Sequence, residues 1–296
     1  MVLGAALCFC TASGMAEQEL VLENEYNVVE ASIDTLHGIP DNAGGVLDRI
    51  RRKGVLRVAT EPYFAPQEFI DPEKAGQDQY VGADMELARL IAQRMGVELE
   101  IVPMDFSQVL PALADDLCDL TISALAYTPG RANAYTLSKG YYYTDSTAST
   151  AFVIRETDAE TIRTEKDLAD KRIIAQSSSL QEALAANHVK QYLEFRRVSS
   201  IQTVYDAVRT GKADAGIVDM ETAENYIRSN QDCGLMIIPD LYYTLDEYFL
   251  GDRIAAKKDE IQLICFVNGV IDDVTADGTY MRWLEEAQKR ANALGL

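Results

Sequence analysis

The sequence predicts an α/β protein of two lobes, each a mostly parallel sheet flanked by helices, with a ligand cleft between them. Three observations carry this. Short apolar runs of strand character alternate with apolar residues at helical spacing, first over residues 55–126 and again over 172–219. The two stretches echo each other: Val109, Leu113 and Asp119 match Val204, Val208 and Asp214 at one constant offset, a helix face before an acidic turn and a strand. After Asp240 an extended segment leads into two helical stretches. If these pack back on the first lobe, the second is an insertion, with crossings near Thr150 and Tyr248 that make a hinge.

The elements follow in order. Residues 2–10 are an unbroken small and apolar run, and Gly14 and Ala16 fit a cleavage site, so residues 1–16 read as a signal peptide. Residues 17–48 are acidic and weakly periodic, an N-terminal extension broken by "GIPDNAGG". Lobe 1 is expected over 49–148 and 248–296, and lobe 2 over 149–247. In lobe 1, "GVLRVAT" is a buried strand, and Leu87, Ala88, Ile91 and Met95 mark a helix with Asp84 where an N-cap belongs. Val97, Leu99 and Ile101 alternate as a strand; Val109, Leu110, Leu113 and Leu117 trace a helix face leading into the strand "CDLTISAL". In lobe 2, "RIIAQ", "LEFRRV" and "AGIVD" are strands, separated by helices over 180–188 and in "IQTVYDAVRTG". Helices over 259–276 and 279–294, with "ADGTY" as the turn between them, finish the chain.

Charge narrows the function. The 296 residues carry 27 Lys and Arg against 47 Asp and Glu, a formal charge of −20 with no basic block, which argues against nucleic acid or an anionic membrane surface as the main partner. A hydrophobic fraction of 48% gives enough apolar material for a core and excludes disorder of the whole. No run in the body of the chain approaches the ~20 apolar residues of a membrane-spanning helix. Cys8 and Cys10 fall in the leader-like segment, behind bulky residues that do not suit a lipid-anchor signal; Cys118, Cys233 and Cys265 are too dispersed for a disulfide framework or metal cluster. The two histidines, His37 and His188, lie apart, and there is neither a nucleophile elbow nor a phosphate loop. The expectation is therefore no catalytic set, no metal and no cofactor.

What remains is a series of polar groups at strand ends, where open α/β sheets bind ligands. After the first strand, "TEPYFAP" offers Glu61 to a cationic group and Tyr63 or Phe64 as a cover over an aliphatic or cationic part of the ligand, unless this is only an acidic turn with a tucked aromatic. In "ALAYTPGR", Thr128 reads as N-cap and Pro129 as the first helical residue, so helix amides and Arg131 converge as a carboxylate receptor; a solvated surface Arg is the alternative. In "AQSSSLQEAL", Ser178, Ser179 and the amide of Leu180 offer donors to the same anion or simply cap a helix. Asp219 ends a buried strand and needs a partner, a ligand ammonium or its own helix N-terminus.

In this order, "GVLRVATEPYFAP", "YVGADMELARLIA", "DLTISALAYTPGR…LSKGYY", "DLADKRIIAQSSSLQE", "GKADAGIVD" and "ADGTYMRWLEE" resemble the extracellular solute-binding proteins of ABC importers for polar amino acids. The resemblance covers roughly residues 54–291. It implies a periplasmic-binding-protein-like fold in which Arg131 grips the ligand α-carboxylate with help from Ser179 and Leu180, and Asp219 takes the α-ammonium. Glu61 and Phe64 would line the side-chain pocket. Ala126 stands where the family usually has Ser or Thr, so one hydroxyl is missing and only its amide remains beside Thr128. The resemblance further implies an extracytoplasmic monomer without a cofactor that delivers an amino acid or similar small zwitterion to an ABC permease in the membrane. Two rivals share the scaffold: an exported dehydratase acting on cyclic precursors of aromatic amino acids, with Glu61 as its acid, and a ligand-sensing domain for a separate receptor.

Overall fold

The computed structural model describes residues 28–32, 45–144, 148–244 and 250–296. The leader-like segment, most of the 17–48 extension and the crossing near Tyr248 lie outside these. In lobe 1, α1 (Val46–Lys53) leads into β1 (Val55–Thr60), and the short strands β2 (Tyr63–Phe64), β3 (Glu68–Ile70) and β4 (Tyr80–Val81) follow. Then come α2 (Ala83–Met95), β5 (Glu98–Pro103), α3 (Phe106–Val109), α4 (Pro111–Ala114), β6 (Leu120–Ala126), α5 (Pro129–Ala134) and β7 (Tyr135–Leu137). Lobe 2 contains β8 (Ala148–Arg155), β9 (Arg172–Gln176), α6 (Leu180–His188), β10 (Glu194–Val198), α7 (Ile201–Arg209), β11 (Ala215–Val218), α8 (Met220–Ser229) and β12 (Leu235–Thr244). The chain then returns to lobe 1 as β13 (Asp252–Lys257), α9 (Ile261–Ala276) and α10 (Thr279–Leu294).

The lobe 1 sheet runs β5-β1-β6-β13-β7 and the lobe 2 sheet β10-β9-β11-β8-β12. Three strands of each sheet are parallel, as the β-α-β rhythm predicts. The strands that carry the chain between lobes, β8 and β13, run antiparallel to their neighbours, which makes both sheets mixed. Between β1 and α2, where no strand is expected, lies a further sheet of three short strands in the order β2-β3-β4.

The internal echo has a physical basis. Asp119, just before β6, accepts from the backbone N (2.9 Å), Nε (3.2 Å) and Nη2 (2.9 Å) of Arg57 on β1. Asp214, just before β11, accepts from the same three groups of Arg172 on β9 at 2.8, 2.9 and 2.7 Å. In both lobes an aspartate thus ties the start of one parallel strand to the next, through charge-assisted bonds. The helix expected over residues 109–117 is instead two short turns divided at Pro111, because proline supplies no backbone N–H there; Leu117 is left exposed.

Asp84 is not a cap. Gly82 takes the N-cap position of α2 with φ 123°, and a Cβ there would lie 2.1 Å from the carbonyl oxygen of Gln67, so only glycine lets β3 lie against the helix start. Asp84 is fully buried one residue inside the helix, where Oδ1 accepts from Tyr280 Oη (2.7 Å) and Oδ2 from Tyr141 Oη (2.7 Å) and the Ala124 amide (3.1 Å). That last bond holds a register irregularity between β6 and β13, where Ala124 adopts φ 42°. Alanine is strained in this left-handed region. Ala124→Gly is therefore expected to raise stability by about 1 kcal/mol, seen as a melting temperature about 2 °C higher in calorimetry.

The core of lobe 1 packs α1, α2, α9 and α10 around β1 and β6, and the core of lobe 2 packs α7 and α8 on β8 and β11. Part of the N-terminal extension joins lobe 1: Val28 bridges Leu137 in parallel, and Asn268 Nδ2 on α9 donates to the carbonyls of Val29 (2.7 Å) and Ala31 (2.8 Å). Among the described residues, Cys118, Cys233 and Cys265 are free thiols, and no helix is long and apolar enough to cross a membrane.

Candidate functional site

The carboxyl ends of β1 and β6 in lobe 1 and of β9 and β11 in lobe 2 face each other across a cleft of about 790 Å³, a volume that includes space open to solvent. Seven of the eight residues proposed from the sequence line it: Glu61, Phe64, Ala126, Arg131, Ser179, Leu180 and Asp219. Thr128 does not. Its Oγ1 accepts from the Arg131 amide at 3.1 Å as the N-cap of α5, so it sets the helix that carries Arg131.

Arg131 is buried, not a solvated surface residue. Nη1 donates to the Ala126 carbonyl at 2.6 Å and Nη2 crosses the cleft to the Ser178 carbonyl at 2.9 Å, while the guanidinium lies 5.6 Å from the centre of the Phe106 ring. Ser178 turns that carbonyl inward from a left-handed conformation, φ 66°. Burial lowers the guanidinium to about 10, with the charge of Asp252 opposing, so it stays ionised near neutrality. Ala126 thus contributes its carbonyl to orienting Arg131. Ser179 caps α6, its Oγ accepting from the Glu182 amide at 3.0 Å and donating to the Gln176 carbonyl at 2.8 Å. Asp219 also serves as a cap: Oδ1 accepts from the Thr222 amide at 2.9 Å. The capping role and the cleft position coexist because the helix begins at the cleft wall.

Glu61 is buried, and its amide donates to Ser123 Oγ at 3.0 Å while Ser123 donates on to Glu68 Oε1 at 2.9 Å. Its Oε1 accepts from Gln176 Nε2 of lobe 2 at 2.8 Å. Burial raises its carboxyl to about 7, against the pull of the Gln176 bond. Tyr142 Oη of lobe 1 donates to Glu221 of lobe 2 at 2.9 Å. Three side chains of lobe 1 thereby bond lobe 2 across the cleft.

Sequence reasoning missed Glu68, Ser123, Gln176, Glu221 and Asp252, all of which line the cleft. Glu68 is buried and its carboxyl hydrogen-bonds that of Asp84; burial first, then the charge of Asp84, hold it well above the usual carboxylate range. Burial, with the charges of Asp84, Asp219 and Glu221, does the same to Asp252, and burial raises Asp219. The lining thus carries five carboxylates, Glu61, Glu68, Asp219, Glu221 and Asp252, against one guanidinium. Burial keeps part of this set protonated, and a cation brought among these acids favours their ionised forms, so the surface suits an anion at one point and a cation over the rest. Among the described residues no group is arranged to hold a metal ion.

Known proteins share this sequence pattern and fold. The arginine-binding extracellular protein ArtP of Bacillus subtilis is 31% identical over 70% of this chain and 76% of its own length. The L-cystine-binding protein TcyJ of Escherichia coli is 24% identical over 79% of this chain and 83% of its own. Among solved structures, the amino acid ABC transporter substrate-binding protein AbpA of Streptococcus pneumoniae, bound to L-arginine, superposes with a TM-score of 0.73 at 30% identity, covering 82% of this chain and 98% of its own. An ancestral amino-acid-binding protein that is a precursor of cyclohexadienyl dehydratase superposes at 0.69 with 25% identity, covering 81% of this chain and 98% of its own. The model of the bacterial extracellular solute-binding proteins, family 3, matches residues 56–287, and this chain belongs to that family.

Proposed function

We propose that the protein is the extracytoplasmic substrate-binding component of an amino-acid ABC importer, and that its ligand is an amino acid with a cationic side chain. The observation that carries the second half is the five-to-one excess of carboxylates over guanidinium in the cleft. Arg131 takes the α-carboxylate and Asp219 the α-ammonium, each a charge-assisted bond in a water-poor site. Glu61, with Glu68 or Asp252 of the same lining, then receives the side-chain cation. A neutral or acidic side chain would leave these carboxylates buried without compensation. The holder of such a ligand acts as a monomer and hands it to a membrane permease.

Titration calorimetry at about pH 7.5 with arginine, lysine, glutamine and glutamate tests this. Arginine or lysine is expected to bind most tightly, glutamate not at all, and the preferred ligand at a hundredfold excess over its Kd is expected to raise the melting temperature by about 5 °C. Tight binding of glutamate, or no binding of either cation, would remove the cationic assignment. The dehydratase alternative rests on Glu61 alone, whose carboxyl near 7 suits a general acid. Turnover of a cyclic aromatic precursor would decide for it.

A further inference from the structure

The carboxylates of the cleft belong to both lobes: Glu61, Glu68 and Asp252 to lobe 1, Asp219 and Glu221 to lobe 2. Bringing the lobes together therefore gathers like charges and strips water from them, both costly where the dielectric is low. Glu61 is a point where lobe 1 and lobe 2 meet, through Gln176 and the start of α7. It is 1% exposed. The donors that lobe 2 offers it, Gln176 Nε2 at 2.8 Å and the Ile201 amide at the start of α7, are both uncharged. The titratable groups whose charge acts on it, Asp105 from the start of α3 and Glu68 from β3, are both acids. Arg131 in the same cleft spends Nη1 and Nη2 on the carbonyls of Ala126 and Ser178.

We propose that Glu61 makes closure of the lobes conditional on a positive charge in the cleft, supplied either by a cationic ligand or, without one, by a proton on Glu61 itself. This rests on the reading of the cleft as an amino-acid site and adds to it a rule for when the site closes. The sign follows from burial. Closure carries Glu61 from the ordinary carboxylate range to about 7, so between those values the closed form holds more protons than the open one. Falling pH then draws the ligand-free protein closed, and rising pH opens it. A ligand cation replaces the proton, so arginine closes the cleft near pH 8 with no proton exchanged at Glu61. An amino acid with a neutral side chain must bring a proton with it, and its affinity falls about tenfold per pH unit from the ordinary carboxylate range up to about 7 and levels off above that. The pH therefore sets which class of amino acid the same cleft accepts.

Small-angle scattering on the full chain, dialysed free of amino acids, reads this directly. Wild type is expected to be compact at about pH 5.5 and expanded at about pH 8.5, while Glu61→Gln, neutral at every pH and similar in shape, stays compact at both. A wild-type radius that does not change with pH overturns the proposal without any variant, and so does a Glu61→Gln protein that expands as wild type does. Calorimetry in buffers of different ionisation enthalpy supplies the second readout: glutamine is expected to take up about one proton at about pH 6 and arginine none. Equal proton exchange for the two overturns the gate. If neither arginine nor lysine binds while the scattering of wild type alone shifts with pH, the ligand assignment fails and the gate stands.

Discussion

Arg131→Ala is expected to weaken arginine binding by about a thousandfold while the circular dichroism spectrum stays that of the wild type. Two charge-assisted bonds to a carboxylate in a water-poor cleft are lost at once, and breaking such a pair costs about 3 to 5 kcal/mol, where 1.4 kcal/mol is a factor of ten. The loss falls on the ligand more than on the fold, because within the protein the guanidinium contacts the carbonyls of Ala126 and Ser178 and the face of Phe106, all at the cleft. Its removal also withdraws the single cation among the described lining residues, so Asp252, already held high by burial and by neighbouring acids, loses the one charge that lowers it. Arg131→Lys keeps the charge without the planar fork and is expected to lose about a hundredfold. Isothermal titration at about pH 7.5 measures both. An Arg131→Ala protein that binds arginine within tenfold of wild type would end the carboxylate role assigned to this residue.

Residues at the ends of parallel strands were legible because their position follows from the local rhythm. Glu61 comes directly after β1, Ser179 after β9 and Asp219 after β11, so recognising the strand places the side chain at the cleft. The Asp119 and Asp214 echo was legible for the same reason, each acid being followed by a strand of its own lobe. The rest depends on long-range geometry. Glu68 sits on a three-residue strand, too short to show a period, and only the close approach that Gly82 permits brings that strand to the cleft. Asp252 opens β13, and its place beside Ala126 is set by an antiparallel pairing formed after the whole of lobe 2 has been traversed. Gln176 and Glu221 share strand and helix ends with predicted residues, and the polar residue at such an end was the available signal. Asp84 shows the opposite error, since it looks like an N-cap yet is a buried hub; Thr128 is the N-cap its sequence indicates, but it serves Arg131 from outside the cleft.

The hub leads to the largest expected effect on stability. Asp84→Ala is expected to cost about 4 kcal/mol of folding free energy and to lower the melting temperature by about 10 °C. It leaves the hydroxyls of Tyr141 and Tyr280 and the amide of Ala124 without their acceptor in a dry environment. Each stranded donor costs about 1 to 3 kcal/mol, and release from burying a carboxylate returns part of the sum. The site joins segments that are remote in sequence: α2, the turn after β7, α10 and the irregular part of β6. Asp84→Asn is expected to lose about half as much, since it keeps one acceptor oxygen and its amide can donate to a rotated tyrosine hydroxyl. Both variants also remove a charge that helps to hold Glu68 above the usual carboxylate range, so Glu68 should ionise at lower pH. The folded and unfolded values for Glu68 then lie closer together. Wild-type stability should therefore fall more steeply than that of either variant as pH rises above the unfolded carboxylate range, a difference that urea titrations across that range would show. An Asp84→Ala protein as stable as wild type would mean that water or a rearranged Tyr280 supplies the missing acceptor, and the buried acid would lose its structural role.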